Sequence, residues 1–339
     1  MTKPILSICI ATYNRSDFIG ETLDSIIPQI TSEVEVVIVD GASTDNTTEV
    51  VARYVNDCDR INYIRLPQKG GVDQDYCKAV EYAKGEMCWL FTDDDLLLPN
   101  AVATVLGELK KGYTLMVVNS QLMTTDFSSQ ISERLIKIDK DKIFSESELG
   151  GLFAQVITYL SFIGAVVINR QVWLDREKEP YFGSEFIHVG VIFQSPLPRK
   201  TLVIADPHIK IRYGNAQWSK RAFNIGMIKW PRLLSSFDNI DDEVKKSFIF
   251  SNPISVWRGM LIFRSKGQYT LSDFKIWSEF KNDSMSYKWV GKIIAIIPSI
   301  ILNIVFLIYL KTIERSNQIA IYDLKKYNST FFSKFIKQR

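Results

Sequence analysis

The stretch "CWLFTDDDLLLPN", residues 88–100, sets three consecutive aspartates directly behind an apolar run. A strand driven into a core and tipped with three negative charges is either the edge of a solvated acidic loop or a place that holds something positive. The flanking sequence weighs the two. From residue 5 to about 118, short β-branched runs alternate with stretches whose apolar residues recur at helical spacing, the pattern of a parallel sheet with crossover helices. Strands are expected at Leu6–Ala11, Val34–Asp40, Asn62–Leu66, Met87–Phe91 and Leu115–Asn119, with helices in "DFIGETLDSIIPQI", "DNTTEVVARYVND", "DQDYCKAVEYAKG" and "PNAVATVLGELKKG". Asp45 reads as a helix start, and Pro99 suits a first helical turn. Such an order aligns the carboxyl ends of the strands along one edge, where open α/β sheets bind ligands. Three of those ends are unusually polar: "ATYNR" (11–15), "DGASTDN" (40–46) and "TDDD" (92–95). Their convergence counts against a merely solvated loop.

Composition bounds the rest. The chain has 339 residues, 46% apolar and 23% charged, room for one large globular domain or two modest ones. Lys+Arg of 41 against Asp+Glu of 38 is too even for a nucleic-acid binder. Cys9, Cys58, Cys77 and Cys88 lack CxxC spacing and read as small hydrophobes in a reducing compartment. The N-terminal "MTKPILSICIATYNR" has no basic segment followed by a long apolar one, so a cytoplasm-facing protein is expected.

Beyond residue 120 the pattern weakens into charged, Ser-rich sequence with no clear period to about 160. "FIGAVVIN" (162–169) and "TLVIAD" (201–206) then read as strands, "SEFIHVGVIFQ" (184–194) as a helix, and 214–285 as mainly helical and aromatic. Residues 293–310 form a charge-free run interrupted by Pro298 and Asn303 and flanked by Lys288, Lys292 and Lys311. It sits at the short limit for a spanning helix. Attachment to a membrane by re-entry or by lying at the interface is expected from its lack of a polar face, a buried core helix being the alternative.

Two aspartates one residue apart at a strand end can hold a divalent metal whose free face accepts diphosphate oxygens. Asp93, Asp94 and Asp95 supply that arrangement. With "SICIATYNR" (7–15), "VVIVDGASTDNT" (36–47) and "AKGEMCWLFTDDDLLLP" (83–99) in this order and spacing, residues 5 to about 118 resemble the nucleotide-sugar-binding half of a family 2 glycosyltransferase. The resemblance implies a GT-A fold, a Rossmann-like and mostly parallel sheet with flanking helices. It implies that Thr12, Tyr13 and Arg15 border the nucleobase, that Asp40 faces the base edge, and that Asp93 and Asp95 form a DXD motif binding Mn2+ or Mg2+, with Asp94 beside the donor. The chain departs from the family at "KGGVDQDYCKAVEYA" (69–83), where an Arg-Asn pair is common. Lys69, Gly71 and Asp73 are retained there as donor-site candidates, with Asp73 as a helix cap the alternative.

Inverting family members use an acidic base, often in a Glu-Asp pair. No such pair occurs in "GSEFIHVGVIFQ", which leaves Glu185 as candidate base and His188, expected one helical turn on, as candidate third metal ligand. His208 competes for that role. "IRYGNAQWSKR" (211–221) suits a loop closing over the diphosphate or an acceptor sugar, with Trp218 to stack on a pyranose and Lys220 or Arg221 to reach phosphate. A narrower likeness, over residues 5 to about 235, is to bacterial O-antigen abequosyltransferase-type proteins. It implies a nucleotide-activated deoxysugar such as CDP-abequose, a polyprenyl-diphosphate-linked oligosaccharide acceptor, and the cytoplasmic face of a bacterial inner membrane, peripheral or monotopic, or with one C-terminal pass. Abequose moved from its α-linked nucleotide to an α-glycoside would be retained at the anomeric carbon, which would remove Glu185 from the role of base. The expected division is a catalytic domain at 1–215, a helical acceptor-side extension at 216–289 and a membrane-associating segment at 290–339. A sugar-phosphate nucleotidyltransferase would need a Gly-rich basic loop after the first strand, which "ATYNRSDFIG" lacks. A catalytically silent membrane scaffold with the same fold would have no need of carboxylates at each strand end.

Overall fold

The computed structural model of the chain describes residues 3–280 and 285–336, which fall into two compact units. The first runs to Tyr213 and takes back Phe237–Asp241; the second holds Gly214–Ser236 and the chain from Asp242 onward.

In the first unit β1 (Leu6–Thr12), α1 (Ile19–Ile26), β2 (Val34–Asp40), α2 (Thr47–Asp57), β3 (Ile61–Arg65), α3 (Val72–Tyr82), β4 (Met87–Phe91), β5 (Leu96–Leu97), α4 (Ala101–Leu109) and β6 (Leu115–Met123) follow in order. Then come β7 (Gln130–Ser132), β8 (Lys142–Phe144), α5 (Leu149–Val156), β9 (Val166–Asn169), α6 (Arg170–Asp175), α7 (Ile187–Phe193) and β10 (Thr201–Arg212). They build one sheet in the order β3-β2-β1-β4-β9-β6-β10-β5, with β7 on β6 and β8 on β10. Every residue of β2 is buried, as a strand covered on both faces must be. Ile8 and Ile10 of β1, Trp89 and Phe91 of β4, and Leu23 and Ile26 of α1 share one core cluster.

The sheet is mixed rather than parallel throughout. Strands β1, β2, β3 and β4 pair in parallel, but β9 runs antiparallel to both β4 and β6. The chain between β6 and β9 holds two short strands and a helix instead of a single crossover, so the chain can return in the opposite sense. This is also the stretch that lacks period in the sequence. Only the second half of "FIGAVVIN" is a strand, Ile163–Ala165 being a 3-10 turn. Pro99 lies before α4, not in it, because Asn100 takes the left-handed conformation (φ 65°) at the helix entrance.

The second unit is helical: α8 (Ala222–Asn224), α9 (Trp230–Ser235), α10 (Asp242–Lys246), α11 (Pro253–Ser265), α12 (Leu271–Phe280), α13 (Met285–Ile296), α14 (Ser299–Thr312) and α15 (Gln318–Ile336). Its core includes Phe223, stacked on Tyr269 at 4.3 Å, with Met260 and Trp277. Helix α13 runs through residue 290, so the division expected at 289/290 falls inside a helix. Among the described residues no single helix is long and apolar enough to cross a membrane. Lys288–Ile296 and Ser299–Thr312 pass that test only as a pair, bent by 92° where Pro298 cannot continue the helix.

Candidate functional site

Strand register brings the polar ends together. Thr12 is level with Asp40 and Ile10 with Phe91, so the aspartates leave β4 alongside Thr12. The loops after β1 and β2 are laced to each other. Asn14 donates its backbone N–H to Ser43 Oγ (2.9 Å), Arg15 to Thr47 Oγ1 (2.9 Å) and Ser16 to Asp45 Oδ2 (3.1 Å), while Asn14 Oδ1 accepts from Thr44 N (2.7 Å). Asp45 thus holds the neighbouring loop and also accepts from Thr47 N (3.0 Å) at the start of α2, although the helix's cap position is Asn46. Asp40 is fully buried and accepts from Ser43 N (2.7 Å) and the Tyr63 hydroxyl. Lys69 Nζ lies 3.5 Å from the centre of the Tyr13 ring, a cation–π contact.

Arg15 reaches the aspartates directly, Nε 3.3 Å from Asp93 Oδ1 and Nη2 3.2 Å from Asp94 Oδ2. Asp95, 2% exposed, accepts from the backbone of Arg212 (2.7 Å) and from the Thr92 hydroxyl. Burial, with repulsion from Asp94, pushes the Asp93 carboxyl up to about 7 despite Arg15, and drives Asp95 well above the ordinary carboxylate range. The site thus disfavours the charged forms of these carboxyls, and its own cations do not offset that cost.

Two of its residues escape a reading of the sequence. Arg212, at the end of β10, donates Nε to the Asp94 carbonyl (2.9 Å) and Nη1 to the Thr125 carbonyl (2.8 Å), pairs with Glu21, and lies over the rings of Phe18 (5.1 Å) and Phe127 (4.2 Å). Asp75 is buried in the first turn of α3, and its carboxyl is pushed up to about 6 by burial. A Cβ at Gly41 would stand 2.8 Å from Asp75 Oδ2, and one at Gly70 2.8 Å from Oδ1, so a larger residue at either position would displace this carboxylate. Gly71 enters α3 at φ 99°, a conformation that only glycine adopts freely.

Asp73 does act as a cap, but for another helix. Its carboxylate accepts from Glu185 N (2.9 Å) and Ile187 N (3.1 Å), fixing the entrance of α7, and burial raises its pKa. Glu185 lies outside α7, at φ 72°, and so does not share a helical face with His188. His188 is not grouped with the aspartates for a metal: it is 1% exposed, and Nε2 sits 2.7 Å from the Leu160 carbonyl, so the proton is on that nitrogen. Burial depresses its pKa to about 4. His208 lies half-buried within β10. Among the described residues no group of three or more His, Cys, Asp or Glu side chains is placed to hold a metal. Asp93 and Asp95 still fit one as a pair, since carboxylate oxygens suit hard cations and accept more than one partner each, and a cation would offset the cost of ionising them here. Trp218, Lys220 and Arg221 belong to the second unit, exposed around a 3-10 turn at Ser219–Arg221.

A mixed α/β sheet with acidic strand ends at the edge of its parallel half is the GT-A glycosyltransferase fold. S. aureus TarS 1–349 in complex with UDP superposes with a TM-score of 0.55 at 14% identity, covering 97% of this chain and 91% of that one. A mannosyltransferase from Pyrobaculum calidifontis in complex with GDP-Man and Mn2+ gives 0.55, also at 14%, over 97% and 87%. Residues 7–161 match the model of glycosyl transferase family 2. Among curated relatives, the abequosyltransferase RfbV of Salmonella typhimurium is 26% identical over 72% of this chain and 78% of its own length. A GalNAc(5)-diNAcBac-PP-undecaprenol beta-1,3-glucosyltransferase of Campylobacter jejuni is 28% identical over 54% and 57%.

Proposed function

We propose that the chain transfers a deoxysugar from a nucleotide-activated donor to a hydroxyl of a polyprenyl-diphosphate-linked oligosaccharide, at the cytoplasmic face of a bacterial inner membrane. The observation that carries the reading is the meeting of Thr12, Arg15, Asp40 and the three aspartates at one sheet edge. The Tyr13 face would receive the nucleobase as Lys69 moves to the diphosphate, and Asp40 would be exchanged from Tyr63 to the base edge. Asp93 and Asp95 would hold Mn2+ or Mg2+, which when bound supplies positive charge to the departing nucleoside diphosphate. Arg15, already against Asp93 and Asp94, adds a second cation there.

As the acceptor oxygen bonds to the anomeric carbon and the bond to the diphosphate oxygen breaks, Glu185 takes the acceptor proton in an inverting reaction. Its left-handed backbone is the kind of local strain that functional positions tolerate. Trp218, Lys220 and Arg221 are proposed to meet the acceptor or the diphosphate. Likeness to an abequosyltransferase over most of the chain supports CDP-abequose as the first donor to try, and the anomeric configuration of its product tests the role of Glu185, since a retained α-linkage would remove it as base. The bent apolar pair α13–α14 supports attachment to the membrane that holds the acceptor.

The test is a thermal-shift panel of detergent-solubilised protein with UDP, CDP, GDP and dTDP, each with and without manganese. One nucleotide is expected to stabilise the protein in a manganese-dependent way, by roughly 2.7 kcal/mol at a hundred times its dissociation constant. Asp95→Asn should abolish that response. Silence toward all four nucleotides would overturn the reading.

A further inference from the structure

Helices α13 and α14 divide their surfaces sharply. Inward, α13 places Ile294 and Ala295, and α14 places Asn303 and Leu310. Asn303 is fully buried and donates Nδ2 to the carbonyls of Ser265 (3.0 Å) and Leu324 (3.1 Å), tying α14 to α11 and α15. Outward, Trp289, Ile293 and Ile296 of α13 and Ile301, Ile304 and Ile308 of α14 are each 45–60% exposed. Their spacings are those of a single face on each helix. A helix that buries one side in protein and offers an isoleucine stripe on the other needs a second apolar neighbour.

Charge identifies that neighbour. Residues 285–313 contain no carboxylate, and Lys288, Lys292 and Lys311 border the stripe, Lys292 Nζ lying 5.8 Å from the Trp289 ring centre. An isologous contact with a second copy would bring these lysines near their own equivalents, whereas anionic lipid headgroups would neutralise them. Length and bend count against a crossing. The 14 residues of α14 rise about 21 Å against the roughly 30 Å of a bilayer core, and the 92° bend denies α13 to the same axis. We infer that α13 and α14 lie along an anionic phospholipid surface, isoleucines in one leaflet and lysines at the headgroups, without crossing it. This deepens the membrane part of the proposed function and is independent of the sugar chemistry.

The experiment is co-sedimentation of the purified full chain with vesicles of phosphatidylcholine alone or with about a third phosphatidylglycerol. Binding to the anionic vesicles is expected to be at least about tenfold stronger, to weaken with salt, and to be released by alkaline carbonate. Ile304→Asp with Ile308→Asp should lower it at least about tenfold. Because both side chains are exposed, circular dichroism and the nucleotide-dependent thermal shift should stay as in the parent; Ile304→Ser and Ile308→Ser stand in if the double variant does not fold. Vesicle binding indifferent to these variants would overturn the inference. So would resistance to carbonate, which marks a crossing, or a dimer that ignores vesicles and that the variants split. A nucleotide response kept in any of these outcomes would leave the transferase reading standing.

Discussion

Asp95 is a carboxylate held where a carboxylate is costly. Its two oxygens accept from Arg212 N and the Thr92 hydroxyl, and burial beside Asp94 works against its charge. An asparagine can keep both contacts, its Oδ1 toward Arg212 N and its Nδ2 toward a rotated Thr92 hydroxyl. Asp95→Asn should therefore abolish transfer while leaving the ligand-free protein at least as stable at pH 8, by something on the order of 1 kcal/mol; a melting curve beside a donor-consumption assay decides. Asp75 and Asp93 give the same idea a pH dependence. Their folded pKa values, about 6 and about 7, lie above the ordinary carboxylate value of 3.8, so the folded state binds these protons more tightly than the unfolded one. Their contribution is fully present below about pH 4 and is lost as pH rises through 6 to 7. Asp93→Asn should flatten that fall in a series of chemical denaturations between pH 4.5 and 7.5. Glu185 separates stability from activity differently. Glycine accepts φ 72° without strain but is freer when unfolded, so Glu185→Gly should move stability by no more than ~1 kcal/mol while transfer is lost; urea unfolding and turnover on one preparation test this.

At the level of elements, the site is three loops and one strand end. The loops after β1, β2 and β4 are fixed by short-range hydrogen bonds and by Arg15, while Arg212 of β10 supports the aspartates from behind. Arg212→Lys keeps the charge but loses the fork that reaches Asp94, Thr125 and Glu21 together. A cost of about 1–3 kcal/mol in urea unfolding is expected, with weaker donor binding in the thermal-shift assay. This also marks where the sequence stops being legible. β1, β2 and β4 announce themselves because an apolar run ending in a polar cluster is local information, and their shared edge follows from chain order. Arg212 is hidden because β10 does not stop at Asp206. It is carried through Pro207 and His208 by pairing with β6 and β5, partners about 90 residues and more than 100 residues away. Residue spacing is likewise silent on ring direction. His188 falls in the expected helix, yet Leu160, from another segment, claims its Nε2. Glu185 leaves that helix because Asp73, 112 residues earlier, takes its N–H.

On the scale of the whole molecule, the chain separates tasks between its units. Thr12, Arg15, Asp40, Asp75, Asp93, Asp95, Glu185 and Arg212 all lie in the first, and the isoleucine stripe lies in the second. The tryptophans report on this division, since Trp89 and Trp173 belong to the first unit and Trp218, Trp230, Trp257, Trp277 and Trp289 to the second. Each unit has a hydrophobic core of its own, which is the condition for unfolding as a separate cooperative step. Calorimetry of the detergent-solubilised chain should accordingly resolve two transitions, each with a change in tryptophan emission, since Trp89 and Trp173 are fully buried in the first unit and Trp277 in the second. A nucleotide with manganese, bound by the first unit as proposed, should raise that unit's transition alone, by mass action. Anionic lipid should do the reverse, raising the second unit's transition and blue-shifting the exposed Trp289. A single transition that both ligands raise together would show instead that the two cores unfold as one, and that donor and membrane sites are energetically coupled.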